Sequence, residues 1–334
     1  MIPASLPSRL RTGIPLLSLA FLSLSCGIGG TDFAGGGTGG TGISTGVVSG
    51  FGSVVVNGVH FRTDNNVAPG FRTEKKINGA DKSLERDKDV FAEGMVVTVR
   101  HGADDNNAQG IEYRDNLRGL IAVIASGADN IIEVLGQTVV VENAATFASL
   151  KRNDIVEVSG FVDNAGWIRA AYILPIASSV QEFEVKGFVS ESSSTGFRLG
   201  PLPDGSGTTV LVSNATGGPA NRAYVQVITT DREPVGGSIT ATRIEILAAR
   251  TDFPENVAVD LEGLVTTPWT GSGNDLSFAV EGKRVQWNDT TEFAGGGGTQ
   301  EDTRQSNRKV LVQGMENGRT ENGGVLSAAR IVFR

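Results

Sequence analysis

The sequence predicts an all-β chain: four tandem small β-barrel units behind an amino-terminal signal segment and a Gly-rich linker. Three observations lead there. Glycine is abundant, at 45 of 334 residues, while aromatic residues make up only 6%. Four segments open alike, Gly46-Val47-Val48, Gly119-Leu120-Ile121, Gly187-Phe188-Val189 and Gly263-Leu264-Val265, at intervals of 73, 68 and 76 residues. Between these openings lie runs that alternate apolar and polar, the period of a half-buried strand. Units this small bury only about 60% of the surface their unfolded chains expose, so four of them gain by packing on one another.

The first element is residues 1–25. Arg9 and Arg11 precede the short apolar run Gly13–Ser25, which is the grammar of a secretory signal. At about a dozen residues the run is too short for a spanning helix, which needs about 20. Cys26, the single cysteine, follows directly. The stretch Leu22-Ser23-Leu24-Ser25-Cys26 resembles the box of a bacterial lipoprotein, with Ser23 where leucine is usual. That resemblance implies lipidation of Cys26, and Gly27 in place of aspartate implies the outer membrane, facing the periplasm or the cell surface. The other reading is ordinary signal cleavage, which leaves a soluble periplasmic protein. Residues 26–43, rich in glycine, read as a flexible tether. They lack the strand before and the GK[ST] after that a phosphate-cradling loop requires.

The units are read as residues 44–116, 117–180, 181–256 and 257–334. Each ends on a similar motif: Gly110-Ile111-Glu112-Tyr113, Ala170-Ala171-Tyr172-Ile173, Ala241-Thr242-Arg243-Ile244 and Ala328-Ala329-Arg330-Ile331. In the first unit Asn57-Gly58 stands between alternating apolar residues, the strongest short hairpin signal, because a type I′ turn needs two positive φ angles. A two-residue turn there pairs Val56 with Val59, Val55 with His60 and Val54 with Phe61. Val54, Val56, Val59 and Phe61 then share one face, and His60 lies on the other. The fourth unit repeats this with Arg284 in the place of His60, and the second with Thr138. His60 therefore reads as a surface residue on a strand, against the alternative of a ligand or base. About five short strands in roughly 70 residues fit a small closed barrel of the OB type, which removes exposed edges.

The opening TGVVSGFGSVVVNGVHF, the run DIVEVSGFVDNAGWIRAAYI and the closing VLVQGMENGRTENGGVLSAARI resemble the domain-of-unknown-function 5666 (DUF5666) family. These are repeated β modules of exported bacterial proteins. The resemblance covers roughly residues 44–334 and implies a fold and an address, but no established activity and no functional residues.

The inventory of chemical groups is thin. There are two histidines, and Cys26 is assigned to the membrane. No nucleophile elbow, HExxH or phosphate-loop motif stands in a suitable context. No catalytic residue, cofactor site or metal site is expected. His101 lies beside Asp104-Asp105-Asn106-Asn107; oxygens there suit Ca²⁺, but the spacing of a Ca²⁺ loop is missing and a solvated loop is the reading. The insertion at 68–91 in the first unit is the longest departure from the common pattern, and the first unit is where a specialised site is expected. Trp287 falls on an apolar hairpin face and reads as core; Trp269 reads as exposed in a loop, a place where a sugar or base can stack. The formal charge of −8, or −10 without Arg9 and Arg11, argues against nucleic acid. The expectation is a non-enzymatic, membrane-tethered protein of the cell envelope that binds or scaffolds an envelope protein or glycan. The alternative is an oligosaccharide-binding module protein.

Overall fold

In a computed structural model, residues 41–334 are described apart from 65–69, 103–104, 215, 272–275 and 321–322. Cys26, the signal segment and residues 26–40 of the tether lie outside the described residues. Barrel 1 is built from β1 (Thr41–Gly50), β2 (Val54–Val56), β3 (Val59–Phe61), β4 (Glu74–Ile77), β5 (Ala80–Asp81), the short helix α1 (Asp87–Val90), β6 (Val96–Gly102) and β7 (Ala108–Tyr113). Barrel 2 holds β8 (Leu117–Ala125), β9 (Ile131–Val134), β10 (Gln137–Val140), α2 (Ala144–Ser149), β11 (Ile155–Val162) and β12 (Ile168–Ile176). Barrel 3 holds β13 (Phe183–Ser190), β14 (Gly196–Gly200), β15 (Val210–Ser213), β16 (Tyr224–Thr229), β17 (Ser238–Thr240) and β18 (Arg243–Leu247). Barrel 4 holds β19 (Ala258–Thr267), β20 (Ser277–Val280), β21 (Lys283–Gln286), β22 (Glu292–Ala294), β23 (Lys309–Thr320) and β24 (Gly323–Phe333).

In barrel 2 the first strand pairs with the second, the second with the third, the third in parallel with the fifth, the fifth with the fourth, and the fourth with the first. That closed five-strand ring is OB-like. Barrel 4 repeats it, with β21 parallel to β24. In barrel 3 the fifth strand is split, β17 beside β15 and β18 beside β16. Barrel 1 closes through one parallel bridge, Arg62 to Asn107. The insertion at 68–91 adds the hairpin β4–β5 alongside β7 and the turn of α1.

The hairpins follow the sequence grammar. Val54 pairs with Phe61, Val55 with His60 and Val56 with Val59. The turn residues Asn57-Gly58, Leu135-Gly136 and Glu281-Gly282 all have positive φ, at 58 and 83, 50 and 75, and 51 and 73 degrees. The opening glycine of each of these units has a physical reason. A Cβ on Gly46, Gly119 or Gly263 would lie within 3 Å of the turn side chain above it, Asn57, Leu135 or Glu281. The glycine makes room for the hairpin tip.

The barrels pair out of sequence order. β1 runs parallel to β19, Gly42 opposite Ala258 through Thr45 opposite Leu261, and welds barrel 1 to barrel 4. β8 pairs antiparallel with β13 and joins barrel 2 to barrel 3, whose buried residues form one continuous core. Residues 41–43, read from sequence as the end of the tether, are strand instead. Ile43 is buried with the core of barrel 4, and Gly42 lies under the His101 ring, where a Cβ would sit 2.3 Å from it.

Candidate functional site

Outward-facing positions on the first strands decide where a site can lie. In the recurrent openings, the residue after the glycine points out of its barrel. Val47 and Leu264 pack with Val96 and Phe161, where barrels 1, 2 and 4 meet, and Leu120 is only 4% exposed. Phe188, the equivalent residue of barrel 3, is half-buried and lines an open cleft.

That cleft, of about 860 Å³, runs between barrels 3 and 4. One wall is the outer face of barrel 3. Phe188 on β13 stands opposite Tyr224 on β16, and Tyr224 opposite Leu247 on β18, so three adjacent strands put one apolar row along the cleft. The Phe188 and Tyr224 rings are 4.9 Å apart between centroids and tilted by 60°. Burial holds the Tyr224 hydroxyl above its ordinary pKa, so it stays protonated. The facing wall is the outer side of β20 and β21, with Ser277, Ala279 and Arg284, together with Thr267 at the end of β19 and Trp269 in the loop that follows it. The second and third strands and the first loop form the ligand face that OB-type barrels use. The floor comes from the long third-unit loop: Leu202 is buried and Pro203 lies against Gly282, where a Cβ would meet Pro203 Cδ at 2.4 Å. Charge in the cleft is balanced. Arg222 and Arg284 face it together with Asp204 and Asp252. Lys283 is buried and neutralised by Glu316.

Trp287 is core, as the hairpin face requires, at 6% exposure. Trp269 is half-buried, unlike the exposed loop residue read from sequence. The Arg304 guanidinium stacks on it at 4.5 Å and its ring meets Trp287 edge to face, which draws the loop onto the barrel. His60 is exposed, with Nδ1 3.0 Å from Ser53 Oγ. His101 is half-buried over Gly42. Ser44 Oγ lies 3.5 Å from its Nε2 and 3.3 Å from Asp260 Oδ2, so a buried hydroxyl stands between ring and carboxylate. This order is not the one in which a carboxylate orients a histidine base. Asp105 accepts hydrogen bonds from the Asn107 backbone and side-chain amides. Among the described residues, no group of three or more His, Cys, Asp or Glu is placed to hold a metal ion.

The insertion at 68–91 borders a second hollow of about 580 Å³. Its base is Lys75, 2% exposed, which donates to Asp64 at 3.0 Å and pairs with Asp87 at 2.9 Å. Burial opposes the charge on Lys75, yet the two carboxylates raise its pKa. A buried pair of this kind organises the insertion.

A second charged cluster, invisible in the sequence, lies where barrels 1, 2 and 3 meet. Lys186 donates to Asp115 and to Glu184, and Asn78 donates to Asp115. Burial, reinforced by Glu184 and Glu157, pushes Asp115 up to about 7, against the attraction of Lys186. Tyr113 donates to Glu157 at 2.8 Å, and burial keeps it protonated. The turn residue Glu281 forms a third node. Its carboxylate accepts from Val162 N at 3.1 Å and Leu264 N at 3.2 Å, joining barrel 4 to barrel 2, and burial raises its pKa to about 7. The wall residues Phe188, Tyr224 and Leu247 escaped sequence reasoning. The available signal was an apolar residue at the outward position of three adjacent strands in one unit.

Residues 118–173 and 262–332 match the family described as Domain of unknown function (DUF5666). These segments fall on barrels 2 and 4; the resemblance read from sequence also took in barrels 1 and 3. No curated protein matches the chain.

Proposed function

We propose that this chain, which carries the DUF5666 domain in two segments, is a non-enzymatic binding protein of the bacterial cell envelope. In this reading Cys26 bears the lipid that holds it to the outer membrane, and residues 27–40 set the barrels off the surface. The observation that carries the binding role is the cleft between barrels 3 and 4, where the second and third strands of barrel 4 face an apolar row of barrel 3. The balance of charge in that cleft and the overall −8 disfavour a phosphate backbone, which needs a basic face. The welding of four barrels by shared sheets and buried ion pairs suits a rigid platform, since a preformed site loses little order on binding.

The anchor is tested separately from the cleft. Two or more acyl chains give stable attachment where one is marginal. Cys26→Ala should therefore move the protein from the membrane fraction to the soluble fraction or leave it uncleaved. Mass spectrometry of a mature chain with an unmodified amino terminus at any other residue removes the lipoprotein reading. Crosslinking in intact envelopes, followed by recovery of the protein, tests the binding role; recovery of the chain alone would remove it.

A further inference from the structure

We propose that Lys186 and Asp115 join through an isopeptide bond, with Glu184 as the proton carrier, and that this bond staples barrel 2 into the protein. Two adjoining elements build the site. β13 runs antiparallel to β8 with Glu184 opposite Arg118 and Val185 opposite Leu117, and Lys186 N donates to Asn116 O at 2.9 Å. Asp115 lies one residue further along, in the link between β7 and β8. Two residues apart on one strand, Glu184 and Lys186 share a face. Lys186 Nζ there donates to Asp115 Oδ1 and, at 3.0 Å, to Glu184 Oε1. The side chains of Lys186, Asp115 and Glu184 are 1%, 0% and 5% exposed.

The other oxygens are committed to the framework, which fixes the part each carboxyl plays. Asn78 Nδ2 donates to Asp115 Oδ2 at 3.1 Å, and Asn78 Oδ1 accepts from Asp115 N at 3.0 Å. Gln226 Nε2 donates to Glu184 Oε2 at 2.8 Å, and Arg118 reaches the same oxygen at 3.4 Å. One oxygen of each carboxyl is held, and the other faces the amine. Burial pushes Asp115 up to about 7, against the attraction of Lys186, which favours the neutral acid. Burial opposes the charge on Glu184 too, yet Lys186 and Arg118 lower its pKa, so it stays ionised and able to act as a base. Burial also opposes the charge on Lys186, which the two carboxylates restore. A proton passed to Asp115 removes one of those two supports.

The step is a condensation inside the cluster. Glu184 carries a proton from the Lys186 ammonium to the Asp115 carboxylate, leaving an amine beside a neutral acid. The carboxyl turns about its Cβ–Cγ bond, and the nitrogen electron pair attacks Cγ to form the C–N bond. Glu184 takes a second proton from nitrogen and gives it to the departing hydroxyl; the C–O bond breaks and one water leaves. Ammonium plus carboxylate become amide plus water, Glu184 ends as it began, and no oxidant or co-reactant is needed. Fixed contact of the reacting groups favours the step, and the neutral amide relieves the desolvation of a buried ion pair. Lys75 also faces two carboxylates, but Asp64 and Asp87 are 24% and 20% exposed, and that cluster stays ionic. The bond spans 71 residues and encloses every strand of barrel 2. With a single cysteine in the chain, no internal disulfide can supply such a staple, which acts by restricting the unfolded chain.

The test is tryptic mapping of the full chain by mass spectrometry after denaturation. Trypsin should spare the bond after Lys186 and release residues 170–198 and 115–118 as one branched species, lighter by one water than the two peptides together. Fragmentation should place the link at Lys186 and Asp115. Lys186→Arg should abolish the branched species and lower the thermal midpoint. Glu184→Gln should slow its appearance after refolding by about a hundredfold, as expected for a lost general base. Recovery of both segments from the native chain only as unlinked peptides, cut after Lys186, overturns the proposal whatever the variants do. A bond that forms at the native rate in Glu184→Gln overturns the role given to Glu184. Thermal melting checks that this variant folds, and if it does not, the map of the native chain still decides the bond.

Discussion

The hairpin tips of barrels 2 and 4 share a backbone and differ in chemistry. Leu135 and Glu281 sit at φ of 50 and 51 degrees, each followed by a glycine and each above an opening glycine. Leu135 is fully buried in the core that barrels 2 and 3 share, whereas Glu281 turns its carboxylate to two backbone N–H groups, one of them from barrel 2. The left-handed conformation costs a branched residue about 1–2 kcal/mol. Complete burial of a leucine contributes about 1.5–3 kcal/mol, so at Leu135 packing outweighs strain. Asn57, the third tip, occupies the conformation cheaply and donates to Thr45 O at 3.1 Å. The turn fixes the conformation, and what lies across the tip fixes the side chain.

The largest way to break this comparison is Leu135→Ala. The truncation empties a closed core and should cost about 2–5 kcal/mol on urea unfolding. Leu135→Asn sharpens it, because asparagine relieves the strained φ while placing an amide among apolar groups. It should also destabilise. A more stable Leu135→Asn protein would mean that strain, not packing, governs the tip.

The next effect is Glu281→Leu, which gives barrel 4 the tip of barrel 2. Leucine leaves Val162 N–H and Leu264 N–H without their acceptor, a loss of about 1–3 kcal/mol. Unchanged stability would show that the two tips are interchangeable. Glu281 also carries a sign in pH. Its folded pKa is raised from the ordinary carboxylate value to about 7 by burial, so the folded state holds the proton more tightly than the unfolded one. Its contribution is full below the unfolded pKa of about 4.3 and is lost as pH rises through 7. Asp115, raised to about 7, acts in the same direction while its carboxyl is free. Glu281→Gln removes one such contribution, and so its stability should fall less between pH 5 and pH 8 than that of the native chain. Parallel pH profiles would place the titration elsewhere.

Legibility in the sequence followed the range of each interaction. Turns, register and the inward faces of the hairpins depend on neighbours a few residues apart, and Asn57-Gly58 with its alternating flanks sufficed to place Val54, Val56 and Phe61 inside. The recurrence of Gly46, Gly119 and Gly263 was visible, but its cause was not, because the atoms that need the space belong to a turn 11 to 18 residues later. Barrel partnership was hidden altogether. The pairing of Gly42–Thr45 with residues 258–261 runs through backbone groups that every strand has. The cleft was hidden for the same reason, since Phe188 and Arg284 come from different barrels and neither is unusual alone. Lys186 and Lys75 read as ordinary surface lysines until the carboxylates that surround them are seen.

The smallest expected effect falls on the residue that a search for chemistry would choose first. His60 takes the same register position as Thr138 and Arg284, opposite Val55 where those stand opposite Glu133 and Ala279. Three unlike side chains at one position, on the outward face of the third strand, mark a site under little packing constraint. The His60 ring touches Ser53 at the surface, a contact between exposed groups that exchanges readily for water. His60→Ala should change the free energy of urea unfolding by no more than about 0.5 kcal/mol. Leu135→Ala measured beside it supplies the scale. A loss at His60 approaching that at Leu135 would mean that the outward face of barrel 1 is covered in the folded protein, and the division between packed tips and free strand faces would fail at its simplest point.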